Sequence, residues 1–98
     1  MTLHLVNKDP LASNALSDCL AVLAVTEEDA ALLLIEDAVN LVLQGNEALH
    51  GLKHPCYVLQ EDLQARGLLD RAGNGFIVVD YSGFVKLSLD YAKVQSWG

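Results

Sequence analysis

Four short apolar runs, Leu3–Val6, Ala31–Ile35, Cys56–Leu59 and Phe76–Val79, constrain what this chain can fold into more than any other feature. Each is continuous rather than alternating, which is the pattern of a strand buried on both faces. The stretches between them are long enough for crossover helices. Asn14–Ala24 places Leu16, Cys19, Leu20 and Leu23 at i, i+3, i+4, i+7 spacing, with Ser13 or Asn14 available as a cap. Asp37–Leu43 reads as a short helix stopped near Gly45, and Asn46–Leu52 as a second piece ended by His54-Pro55. Glu61–Arg66 reads as one or two turns closed by Gly67. Strands alternating with helices build βαβ units, and right-handed crossovers lay those helices on both faces. The expected architecture is α/β: a single small three-layer domain over residues 1–98, with a parallel four- or five-stranded sheet and helices on both faces. Toward the end, Tyr81–Asp90 is expected as a helix capped by Asp80, and Lys93–Trp97 as a short edge strand or a docking tail. Arg71–Gly75 reads as a flexible turn.

Burial sets the next expectation. A domain of 98 residues with 52% hydrophobic composition carries more apolar side chain than so small a core hides, which argues for a partner subunit. With 6 basic and 13 acidic residues the chain carries −7, the wrong sign for gripping nucleic acid directly. No apolar run approaches the ~20 residues of a membrane span. Leu3–Val6 is too short for the core of a signal peptide, so a cytoplasmic protein with reduced thiols is expected.

Cys19 is the candidate reactive residue. It follows the first strand, and in open α/β sheets ligands gather at the carboxyl ends of strands. It also fits the buried stripe of its helix, where a thiol merely packs. Lys8 is the one basic residue near it in sequence, and carboxylates at the strand ends oppose thiolate formation. Cys56 opens the third strand at the opposite edge and reads as a buried, inert thiol. Glu36, Asp37 and Asp62 converge on the carboxyl edge and raise the question of Mg²⁺, but acidic residues at helix starts more simply serve the helix ends. His50 and His54 have i, i+4 spacing without a third ligand, so no metal is expected there. His4 reads as a strand histidine with a satisfied ring. No phosphate loop or nucleophile elbow occurs, and no cofactor is expected.

Leu3-His4-Leu5-Val6-Asn7-Lys8-Asp9-Pro10 resembles the Leu-His-x-x-x-x-Ser-Pro segment of the DsrH/TusB family. Leu32-Leu33-Leu34-Ile35-Glu36-Asp37-Ala38-Val39 is similar to its Leu-Leu-Leu-x-x-Asp-Gly-Val segment. Tyr57-Val58-Leu59 with Asp62-Leu63-Gln64-Ala65-Arg66-Gly67 is similar to its Tyr-x-Leu-x-x-Asp-Leu-x-Ala-Arg-Gly segment. Val79-Asp80-Tyr81, Gly83-Phe84-Val85 and Val94-Gln95-Ser96-Trp97 extend the match over nearly the whole chain, with Asp9 and Ala38 as departures. The resemblance implies a subunit that joins two homologous subunits in a heterohexameric sulfur relay, exchanging sulfur with upstream and downstream carrier proteins. One branch of the family passes persulfide sulfur toward 2-thiolation of the tRNA wobble uridine, and the other serves sulfur oxidation. Cys19 maps onto the family's candidate persulfide carrier, a thiol that some members have and others lack. The alternative roles it implies are thus sulfur carrier in a sulfurtransferase complex and structural, non-catalytic protomer. Cys56 matches no thiol of the family.

Overall fold

The strand Ala30–Leu34 (β2) is buried at all five positions, and the rest of the molecule is arranged around it. The computed structural model describes residues 1–98. β2 pairs in parallel with Thr2–Val6 (β1) on one side and with Cys56–Leu59 (β3) on the other. Phe76–Val79 (β4) extends the sheet beyond β3, and Lys93–Trp97 (β5) closes the far edge beside β1. The order is β4-β3-β2-β1-β5, with every pairing parallel. The expected fold is therefore the observed one, at the five-strand end of the range, and the terminal segment is an edge strand.

This order dictates the layers. From β1 to β4 each strand is added on the same side of the last, so right-handed crossovers put all their connections on one face. The final connection reverses direction across the sheet and must lie on the other face. The first face carries helix α1 (Ala15–Ala24), a 3₁₀ segment over Glu36–Gln44 and helix α2 (Gln60–Ala65). Their apolar residues join Val6, Leu32, Leu34, Cys56, Val58 and Phe76 in one core of 16 buried residues. The second face has only helix α3 (Tyr81–Asp90), laid over Leu3, Ala31 and Leu33 through Phe84, Leu87 and Tyr91.

Local sequence explains most boundaries. Asp80 Oδ1 accepts from the Gly83 N–H at 2.8 Å, so the expected cap of α3 is present. At α1 the hydroxyl of Ser13 takes the Ala15 N–H at 3.1 Å, and Asn14 makes no side-chain cap bond. Two expected helices take a different form. Asp37–Leu43 lies within a 3₁₀ segment that ends at Gly45 (φ 80°), and Asn46–Leu52 shrinks to a 3₁₀ turn over Glu47–Leu49. The apolar stripe Ala38, Val39, Leu41, Val42 packs equally well in the tighter helix. The 71–75 turn is tied down: Asn46 Nδ2 donates to the Asn74 carbonyl at 2.7 Å, and Gly75 turns beside it at φ 95°.

Leu32 is fully buried at the middle of the central strand, whereas Leu89 is 79% exposed. Urea denaturation is expected to show Leu32→Ala losing about 3 kcal/mol. Leu89→Ala is expected to stay within about 0.5 kcal/mol of the wild type.

Candidate functional site

The carboxyl ends of the strands are where sequence reasoning looks for chemistry, and there the side chains are mostly spoken for. Glu36, just past β2, is the one non-glycine residue with positive φ (50°). Its N–H donates to Asp62 Oδ2 at 2.6 Å, which holds this uncommon backbone in place. Asp62 lies in the first turn of α2, which follows β3 directly, so β2 and β3 are laced together at their ends. Arg66 then closes the network: its Nη2 donates to Asp37 Oδ1 at 2.8 Å and its Nη1 to the Asp62 carbonyl at 3.2 Å. Asp9, after β1, accepts from the Leu11 N–H at 2.9 Å and from Asn40 Nδ2 at 3.2 Å. Glu61 accepts from the Tyr81 N–H at 3.1 Å and so joins the ends of β3 and β4. Asn7 Oδ1 is a buried acceptor without a partner.

These carboxylates bind backbone N–H groups and Arg66, and they act as structural ties between strand ends. Glu36, Asp37 and Asp62 do not gather around a common point, and nowhere do three potential metal ligands converge. His54 Nε2 lies 2.9 Å from the Thr26 carbonyl. The surface hollows lie away from the carboxyl edge. One is bounded by Thr26, Glu28, Lys53 and His54, and another by Asn46, Glu47, His50 and Gly75.

Cys19 lies beneath α1, not on the rim. It is fully buried between Leu16 and Leu23, in the same core cluster as Cys56. Burial pushes the Cys19 thiol up to about 12. Cys56 is also pushed up to about 12, first by burial and then by the nearby Cys19. Both thiols are free. The helix dipole gives Cys19 no offsetting help from its position five residues into α1. In this conformation it is a packed thiol.

One polar contact escaped the sequence reading. His4, in the middle of β1, is buried, and its Nδ1 accepts from Trp97 Nε1 at 3.0 Å. A satisfied ring is what a strand histidine needs, but its partner lies 93 residues along the chain, and no local spacing signals it. Trp97 pairs with Val6, two positions beyond Gln95, the residue opposite His4, and so lies on the same face of the sheet as His4.

These features define a class: a small all-parallel α/β domain with both thiols interior and strand ends laced by carboxylates. Comparison with known proteins places it more closely. The family described as "DsrH like protein" matches residues 8–94. Curated relatives include "Protein TusB" of Escherichia coli O1:K1, 36% identical over 98 residues and covering 97% of this chain and 99% of the relative. "Protein TusB" of Shigella dysenteriae serotype 1 is 35% identical with the same coverage. Among solved structures, the ychN protein from E. coli superposes with a TM-score of 0.80 at 19% identity, over 97% of each chain, a likeness of fold. The chain belongs to the DsrH/TusB family. No helix is long and apolar enough to cross a membrane.

At pH 8, a thiol titrating near 12 is ionised in about one molecule in ten thousand. Alkylation by iodoacetamide is therefore expected to leave both cysteines of the native chain unmodified on a timescale that labels both fully in guanidinium. Rapid native labelling of Cys19 is the contrary result.

Proposed function

We propose that this chain is an accessory subunit of a cytoplasmic sulfur-relay complex that feeds 2-thiolation of the tRNA wobble uridine. In this reading it shapes the assembly, and its partners carry the sulfur. The observation that carries the proposal is the outer surface of α3. Tyr81, Val85 and Leu89 recur every four residues and form an exposed apolar stripe beside the packed residues Phe84 and Leu87, with the Tyr81 ring edge-on to Phe84 at 5.8 Å. They are 60%, 40% and 79% exposed, and Ile77 on the same face of the sheet is 46% exposed. No residue of α3 is fully buried. Such a stripe is what a subunit covers with a partner. Charge favours the same surface: of the chain's acidic residues only Asp90 falls within 81–98, beside Lys86 and Lys93. The TusB relatives favour the tRNA branch over the sulfur-oxidising one. The interior Cys19 favours an accessory role over that of persulfide carrier.

Leu89→Asp places a charge in the stripe at an exposed position, so the monomer is expected to keep its stability within about 0.5 kcal/mol. It is expected to fail to co-purify with the two homologous partner subunits that wild type retains. Undiminished co-purification is the result that removes α3 from the interface.

The role of Cys19 is tested in cells lacking this gene. Wild type and Cys19→Ala are both expected to restore wobble 2-thiouridine. Mass spectrometry of the assembled complex under sulfur flux is expected to find no added sulfur atom on Cys19. A Cys19 persulfide together with failure of folded Cys19→Ala makes Cys19 a carrier. Normal thiolation in the deletion strain overturns the pathway itself.

A further inference from the structure

The Trp97–His4 contact has a property that the assembly role does not use. A neutral histidine has one protonated and one bare ring nitrogen. Here the bare one is Nδ1, because Trp97 Nε1 is a donor only and points at it from 3.0 Å. We propose that this hydrogen bond is a pH-sensitive latch on β5: a proton taken up at His4 Nδ1 sets donor against donor and releases the strand from β1.

The surroundings make β5 the part that yields. β1, on the other side of the contact, is pinned by its pairing with β2 and by four buried residues. β5 is an edge strand with Lys93, Val94, Gln95 and Ser96 all exposed. Trp97 is its one side chain packed against the large core. Losing the indole's bond removes the side-chain hydrogen bond of the segment and leaves the packing of Trp97 and backbone pairing such as Lys93 N–H to the Met1 carbonyl at 3.2 Å. Release would bare the N–H and C=O groups along the outer edge of β1.

The groups facing His4 set the direction. Burial holds the ring below its usual range, Glu28 in the loop before β2 opposes that, and His54 in the loop before β3 adds to it. Glu28 is bound by the N-terminal amine and Thr2, interactions that lower its pKa and keep it ionised near neutrality. Lys93 on β5 acts on Glu28 in the same sense. From α1 the sheet receives Leu16, Cys19 and Leu23, all uncharged near neutrality. A histidine lowered in the closed state binds protons more tightly once the strand opens. The latch is thus at full strength above the ordinary value of 6.5 and weakens as pH falls from there toward the lowered closed-state value.

Amide hydrogen exchange of the full chain, followed by NMR between about pH 8 and about pH 5, tests this. Protection factors correct for the intrinsic pH dependence of exchange, and β2 amides serve as the internal reference. The protection of β5 relative to β2 is expected to fall by up to about tenfold per pH unit, the limit for one proton. His4→Gln keeps a carbonyl acceptor without titrating and is expected to flatten the profile. Trp97→Phe keeps a ring but no donor, and is expected to lose β5 protection already at the upper pH and to show little further fall. A flat wild-type profile overturns the latch. So does an unchanged slope in His4→Gln or in Trp97→Phe.

Discussion

The handedness of strand crossovers is the constraint on which this structure depends. Because β1 through β4 step in one direction and the last connection steps back, the two faces of the sheet receive unequal cover. One face holds α1, two further helical segments and a core of 16 buried residues; the other holds α3 alone over three. The thick face can hide polarisable groups such as thiols, and it does. On the thin face Tyr81, Val85 and Leu89 stay exposed.

The strand ends follow from the same geometry. In a parallel sheet all carboxyl ends meet at one edge, which collects the residues following each strand. Here those residues are Asp9, Glu36, Asp37, Glu61, Asp62 and Asp80, a concentration of negative charge that must be satisfied. Asp9, Glu61, Asp62 and Asp80 accept from the chain's own backbone N–H groups, and the Arg66 guanidinium reaches Asp37 in the 3₁₀ segment and Asp62 in α2. An edge that in other α/β proteins receives a ligand is here occupied by its own loops. Glu36 shows the extent of this, with a left-handed backbone held in place by Asp62.

The sheet was legible because its signal is local. Leu32-Leu33-Leu34 is the middle of a continuous apolar run from Ala30 to Ile35, the pattern of a strand covered on both faces. The cap at Asp80 was legible for the same reason, since its partner Gly83 is three residues away. The 3₁₀ form of Glu36–Gln44 was not, because the same apolar residues line either helix and the choice rests on how closely the segment meets β3 and α2. At the candidate site, the position of Cys19 in a helical stripe was readable, and its depth was not. Depth depends on Cys56, Val58 and the other residues of the opposing layer, all distant in sequence. The His4–Trp97 pair lies beyond local reading altogether, because it joins the two ends of the chain.

The proposed accessory role and a sulfur-carrying role for Cys19 would make opposite demands on this fold. A persulfide on Cys19 requires α1 to lift from the sheet, exposing Leu16 and Leu23 at about 2 kcal/mol each. A partner seated on α3 contacts the other side of the sheet and offers nothing to offset that cost. For Cys19 to act, α1 would have to open, and besides Ala15 and Leu20 that helix displays Val22, 41% exposed. Covering α3, by contrast, requires no rearrangement, since the apolar stripe is already displayed. In the proposed accessory role, the fold would be covered on its thin face while the thick face stays closed over its thiols.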